Sequence, residues 1–340
     1  MTIRYEIGFF RNGAALPLED NPVRIAFTRV LDGISGATLN FNAPSNVCCE
    51  QLGELEPLAD TLVVKRNGTP MWFGWIQSIA YDRDNVLIDA QDALGWLQRR
   101  VVHADQTYPA GTDLSTIFTG LWNDALIYGD LNIILNAQPS GATGSREYLA
   151  AEYRNVFDLV RELFNTGLDA TVLGQALYIG GLDFGTLQFG IDDFEGNVKV
   201  TKQGGSYVNR SIVKGESGVV GISPVGPATG VPPWPVVERV NEDSNITDVV
   251  SAQSAADSRI AFSPVVPRIL ETPQGARLKR CDDDLLARLN PGARVLVDTR
   301  GLCYESVEEF RLSGVSVEVT GGQESVGVTL QPVGSDSLTA

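Results

Sequence analysis

Apolar and polar positions alternate with a period of two through most of the first hundred residues. Arg4 to Phe10 alternates loosely and runs into Arg11-Asn12-Gly13, a hairpin turn. Ile25 to Val30 reads as a strand, and Ala37 to Phe41 as the next, with Leu39 and Phe41 on one face. Leu62, Val63 and Val64 form a β-branched run that stops at Asn67-Gly68, where both residues tolerate positive φ and reverse the chain. Met71 to Tyr81 therefore folds back on that run. A polar turn at Asp82 to Asn85 leads into Val86, Leu87 and Ile88, which completes a three-stranded antiparallel meander. Leu94, Trp96 and Leu97 fit one face of a short helix that lids the meander, and Arg99 and Arg100 suit its C-terminus. A barrel is the natural closure for these strands.

The period changes after His103. Thr112 or Asp113 can cap a helix with Leu114, Ile117, Phe118, Leu121 and Trp122 on one face. Asn136 to Arg146 is rich in turn residues and reads as a loop. Asn155 caps a second helix, with Val156, Leu159, Val160, Leu163 and Phe164 inward and Gly167 as its stop. A hairpin at Gly174-Gln175 completes an α/β insert. Beyond Ile191 the pattern returns to β, with candidate strands at Val198 to Thr201 and Tyr207 to Lys214. Gly218 to Pro235, with Pro232-Pro233-Trp234-Pro235, is expected to be an extended loop. Ser244 or Asn245 caps a helix to about Ser258, and a strand follows from Arg259 to Leu270.

Late in the chain an earlier phrase returns. Leu289-Asn290-Pro291-Gly292-Ala293-Arg294-Val295-Leu296-Val297 parallels Leu55-Glu56-Pro57-Leu58-Ala59-Asp60-Thr61-Leu62-Val63, and Gly314 to Val317 parallels Gly74 to Gln77. Both encode a tight turn at Pro, a strand and a returning strand, which implies two related barrels. The expected class is β-rich α+β: two tube-like antiparallel β-barrel domains with an α/β insert. The expected divisions are 1–103 for the first barrel with its lid helix, 104–190 for the insert, and 191–340 for the second barrel with the Gly/Pro-rich loop 218–235.

Gly74, Trp75, Ile76 and Ile79, followed after a turn and a strand by Asp92, Ala93, Leu94, Trp96, Leu97 and Arg100, make a phrase that resembles the tail hub, or minor tail, proteins of long-tailed bacteriophages. These include the baseplate-hub-like N-terminal part of tail-associated lysins. The resemblance implies a structural virion protein of the tail tip, a baseplate hub made in the host cytoplasm. It joins the tail tube to the distal tip and forms part of the DNA channel. It further implies a homotrimer, because hubs of this kind carry two tube-like barrels and three copies match a six-fold tube. Its partners are then the tail tube and distal tail proteins, other tail-tip proteins, the tape measure protein, and phage DNA that passes without specific binding.

Composition narrows the alternatives. With 42 acidic and 26 basic residues the 340-residue chain carries a net charge of -16, which disfavours binding of a phosphate backbone as the main activity. If copies surround a channel, some of those carboxylates are expected on its wall, where they repel DNA. No apolar run approaches the roughly 20 residues that span a bilayer, and the first residues lack the apolar centre of a signal peptide. Cys48, Cys49, Cys281 and Cys303 have no metal-binding spacing and read as small buried hydrophobes.

Catalytic constellations are sparse. His103 is the only histidine, no Gly-x-Ser-x-Gly elbow occurs, and no phosphate-cradling Gly loop with its Lys is present. Two acidic runs, Asp192-Asp193 with Glu195 and Asp282-Asp283-Asp284, could in principle supply a glycosidase pair. They read better as solvated faces, the second at a helix start. No catalytic, cofactor-binding or metal-binding residue is therefore assigned, and the protein is expected not to be an enzyme. A receptor-binding or carbohydrate-binding tail-tip module is the alternative, through aromatics such as Trp72, Trp234 or Tyr304. A cell-wall glycosidase is third.

Overall fold

The computed structural model describes residues 3–18, 21–42, 45–129, 131–202, 208–223, 236–243, 246–261, 268–271, 276–303 and 305–332. Expectations placed on 224–235, on Ser244 and Asn245, and on Tyr304 lie outside these residues. The chain opens with β1 (Tyr5–Arg11), β2 (Ala14–Leu16), β3 (Arg24–Val30), β4 (Gly36–Asn42), α1 (Asn46–Gly53), β5 (Asp60–Arg66), β6 (Thr69–Tyr81), β7 (Asn85–Gln91) and α2 (Ala93–Leu97). The insert follows as β8 (Gln106–Asp113), α3 (Leu114–Ala125), β9 (Ile134–Ala137), β10 (Thr143–Tyr148), α4 (Val156–Asn165), β11 (Ala170–Leu173) and β12 (Ala176–Ile179). Next come β13 (Thr186–Gly190), β14 (Lys199–Lys202), β15 (Arg210–Lys214), β16 (Val220–Ile222), β17 (Glu238–Glu242) and α5 (Val249–Ala261). The last elements are β18 (Arg268–Glu271), β19 (Ala276–Leu278), α6 (Asp283–Arg288), β20 (Arg294–Asp298), β21 (Val307–Thr320) and β22 (Gln323–Pro332).

Strands from both ends of the chain share one 12-stranded sheet, ordered β13-β20-β21-β3-β4-β7-β6-β5-β1-β2, with β22 and β19 added beside β21. The join is antiparallel pairing of β21 with β3, from Gly314 opposite Val30 to Thr320 opposite Arg24. The fold is β-rich α+β, and its two expected β regions are fused through this pair.

The phrase echoed in the sequence is a structural repeat. Pro57 and Pro291 each sit second in a four-residue turn closed by Ala59 N–H to Glu56 C=O (3.2 Å) and Ala293 N–H to Asn290 C=O (3.0 Å). The third residues, Leu58 and Gly292, have φ of 69° and 101°, the positive value that a type II turn needs at that place. From them Leu58 N–H reaches Ile76 C=O (2.8 Å) and Gly292 N–H reaches Leu312 C=O (2.7 Å). In both long strands the register then slips, between Ile76 and Ser78 and between Leu312 and Gly314. A bulge of this kind shifts by one which side chains face the core: Trp72 and Ile76 face it before the slip in β6, and Ile79 after it. In β21 the inward residues change from Phe310 and Leu312 to Val315 and Val317. The repeat is longer than the phrase. By element order it runs β3-β4-α1-β5-β6-β7 in one unit and β18-β19-α6-β20-β21-β22 in the other; β19 pairs β22 as β4 pairs β7, whereas β3 pairs β4 and β18 pairs β14. By place after the bulge the partner of Gly314 is Ser78, which corrects the expected match to Gly74.

Both units bury their inner faces in one core. Phe27, Leu39, Phe41, Leu62 and Ile76 meet Val295, Phe310, Val315, Val317 and Val326 there. A second core lies on the outer side of β6, where Phe73 and Trp75 pack with α2, α3 and α4. Its helices follow the expected spacing. Asp113 caps α3 by accepting from Ser115 N–H, and Asn155 caps α4 by accepting from Phe157 and Asp158 N–H. Gly167 stops α4, with Leu168 N–H bonded to Leu163 C=O. α2 belongs to this second core, so the helix expected to lid the meander instead ties it to the insert. Trp75 is buried, Trp96 is half-buried, and their rings lie 5.8 Å apart.

Several expectations need correction. Asn136 to Arg146 is not all loop: its ends belong to β9, paired with β12, and β10, paired with β8. Val220–Ile222 is strand β16 although it lies in the Gly/Pro-rich stretch, because it pairs with β15. Asp248 accepts from Ser251 N–H (2.9 Å) at the start of α5, and this helix continues through Arg259, where a strand was expected. Of the cysteines Cys48 is buried, Cys281 is intermediate, and Cys49 and Cys303 are exposed. Among the described residues no helix is long and apolar enough to cross a membrane.

Candidate assembly surface

The outer face of the fused sheet is built by the residues that alternate with the core positions. Register places Gln91, Gly36, Thr28, Ser316, Gly327 and Arg277 in one row across six strands. The next row reads Ser78, Asp89, Thr38, Ala26, Glu318 and Ser325. Small and hydroxylated side chains predominate, and where the two units meet they leave a shallow pocket of about 360 Å³. The charges on these rows are Arg277, Asp89 and Glu318. Arg24 beside them pairs with Glu318 at 2.8 Å, and Asp89 accepts from Thr38 at 2.8 Å, so two basic groups stand against two acidic ones. The face is polar and close to neutral, unlike the chain as a whole.

Beneath it, buried polar groups lock the units together. Arg66 of β5 is 1% exposed and pairs with Glu324 of β22 (2.7 Å), with Asp283 at the start of α6, and with the Cys281 carbonyl (2.8 Å). Tyr5 donates to the same Glu324, and burial, then that carboxylate, pushes its hydroxyl well above the usual range. Burial raises the Cys281 thiol to about 12. Arg29 of β3 is buried, and among the described residues no carboxylate pairs with it. It donates to the Leu286 and Leu289 carbonyls (3.3 Å each) at the C-terminal end of α6, where a cation is favoured, and burial lowers it to about 10.

The insert is fastened at the same junction. Asp32 N–H donates to Ala170 C=O, and Ala170 N–H returns a bond to the Asp32 carboxylate, both at 2.8 Å. Arg311 of β21 grips Asp169 with two nitrogens, at 2.9 and 2.5 Å. Burial, then the Asp169 charge, pushes the Asp32 carboxyl well above the usual carboxylate range.

Asp193 and the Asp282–Asp284 run are occupied structurally. Asp282 caps α6 by accepting from Leu285 N–H, Asp283 serves Arg66 and Asn67, and Asp284 faces Arg288. Asp193 accepts from Gly190 N–H (2.7 Å). His103 lies 3.6 Å from Asp124 and edge-on to Tyr128. Trp72 is 3% exposed, a core residue rather than a binding aromatic, while Tyr81, Tyr128 and Tyr153 are the large aromatics among the described residues that do face solvent. Sequence reasoning assigned no site residue and did not find this face, which is defined only once β3 meets β21.

No family model matches the chain, and no curated protein does. Solved structures do. The 43 kDa tail protein of prophage MuSo2 from Shewanella oneidensis aligns over 98% of this chain and 100% of its own, with a TM-score of 0.64 at 12% identity. The fold is that of phage tail proteins. A tail protein from Neisseria meningitidis MC58 aligns over 98% of both chains, with a TM-score of 0.60 at 14% identity. The tail-protein fold also extends to a type VI secretion component of Escherichia coli described as structurally similar to T4 tail proteins gp27 and gp5. There the TM-score is 0.55 at 10% identity, over 97% of this chain and 76% of that one.

Proposed function

We propose that this chain is a structural, non-enzymatic hub of a phage tail tip, three copies of which form a ring of six β units between the tail tube and the distal tip. The observation that carries the reading is the six-element repeat joined through β3 and β21. Two related units in one chain give a trimer six comparable surfaces, which matches a six-fold tube without six chains. The fold shared with tail proteins supports the same role.

On this reading the polar outer face of the fused sheet lines the passage. Among the described residues the two rows and Arg24 beside them carry two basic groups against two acidic ones, too few to hold DNA through counterion release, so DNA and the tape measure protein pass without specific binding. The near-neutral rows argue against a strongly acidic wall and assign the excess carboxylates to other surfaces. The stoichiometry is tested by light scattering on purified protein together with its copy number in isolated tails. Three copies in both support the hub, and a lasting monomer or a six-chain ring rejects it.

A further inference from the structure

The repeat exposes a place where one unit has a partner and the other does not. On β21 one side is paired with β22 along nearly its whole length. The opposite side is taken first by β20, through Arg311, and then by β3 from Gly314 onward. β6 is built the same way only in part. Trp75 pairs with Thr61 of β5 and with Gln91 of β7, so these two neighbours lie on opposite sides of β6. Past the bulge β7 continues along Ser78 to Tyr81, whereas β5 has already ended. The side of Ser78–Tyr81 that corresponds to the β3-binding side of β21 has no strand on it among the described residues.

We infer that this free edge of β6 is completed by a second copy of the chain, which adds a strand there as β3 adds to β21 within one chain. The inference rests on the hub reading and names the contact that closes the ring. A strand edge with unpaired N–H and C=O groups is a template for pairing, and Ser78, Ala80 and Tyr81 are exposed along this one. The occupant follows from element order. The counterpart of β3 in the second unit is β18, so the partner copy presents its β14–β18 ribbon. The contact is head to tail: edge β6 of one copy meets ribbon β14–β18 of the next. Such a contact closes when the rotation per copy is a whole fraction of a turn.

Amide hydrogen exchange on the full chain, followed residue by residue over Ser78 to Tyr81 in the monomeric and assembled forms, tests this. Alternate amides in this run face away from β7. In the monomer they should exchange freely, and assembly should slow them by at least about a hundredfold. Ala80→Lys, which places a charge beside the edge, should weaken self-association about tenfold or more. Its monomer should melt within about 3 °C of the parent, as expected for an exposed position. Protection in the assembly together with this loss supports the contact. Trimers in which those amides stay fast, or in which Ala80→Lys assembles like the parent, overturn the contact and leave the hub reading standing. Protein that never self-associates overturns both.

Discussion

The two repeat units use the same turn and the same bulge, yet they meet different surroundings. In the first unit the outer face of β6 before the bulge is covered by the insert, so Phe73 and Trp75 enter a second core. In the second unit the matching stretch of β21 carries charged side chains, and the insert reaches it through the Arg311–Asp169 pair. At matching places before the bulge stand Phe73, buried against the insert, and Glu309, which pairs with Arg294 at 2.7 Å. A repeated backbone path thus conserves turns and registers, while the side chains record what was laid against each copy. After the bulge the roles reverse: β21 is covered by β3, and β6 is left with an open edge.

The sharpest way to break this contrast is at the paired positions themselves. Phe73 is 7% exposed and packs in the second core. Phe73→Ala should cost on the order of 3 to 5 kcal/mol. Glu309→Ala at the matching place should cost about 0.5 kcal/mol, since an exposed ion pair contributes little. Urea denaturation of the two variants checks both.

Next in size is the lock between the units. Arg66→Ala leaves Glu324 buried without its cation and should cost about 3 to 5 kcal/mol. Calorimetry should show the whole main sheet losing stability, because both units share one core. A separate early transition confined to one unit would mean that they fold independently.

A smaller effect depends on pH. Asp92 follows β7 and caps α2 under the insert, accepting from Ser35, Leu94 and Gly95 N–H. Burial raises its carboxyl to about 6 despite those bonds. A raised folded-state value stabilises the protein below the ordinary carboxylate range, and this contribution is lost as pH rises through about 6. The stability of Asp92→Asn relative to the parent should therefore improve by about 2 to 3 kcal/mol between pH 4 and pH 7. A constant difference across that interval would place the ionised carboxylate in the fold at all these values.

The smallest test compares the turns. Leu58 holds at φ 69° a conformation that Gly292 takes without a side chain. Leu58→Gly should be neutral or stabilising by up to about 1 kcal/mol, and Gly292→Leu destabilising by at least that much. Equal and opposite effects would make the two turns energetically equivalent, and the reverse signs would contradict the shared geometry.

Much of the local structure was legible in the residues, because local rules govern it. Asp113 and Asn155 cap the helices whose apolar spacing announced them, and the turns at Asn12-Gly13 and Asn67-Gly68 stand where Asn-Gly marked them. α1 carried too weak a signal to be read, since it spans only eight residues and buries just two side chains, Cys48 and Leu52. β8 was hidden by Pro109 and Gly111 within the strand. The Pro turns exposed the repeat, but its true extent depends on bulges at Gln77 and Ser313, which have no residue signature. For the same reason Gly314 was matched by residue type to Gly74 rather than by position to Ser78. The polar face could not be read at all, because it exists only after strands some 290 residues apart have paired, and the free edge depends on where β5 ends beside β6.

Imaging of the assembled ring by electron cryo-microscopy tests the central claim most directly. The account requires a three-fold ring of three chains, about 110 kDa in all, in which six β units alternate between the two kinds. The fused sheet should line the bore, and β6 of each chain should be hydrogen-bonded to its neighbour. A ring of six chains, or three chains whose sheets end unpaired at Ser78–Tyr81 with the polar face turned outward, would contradict it.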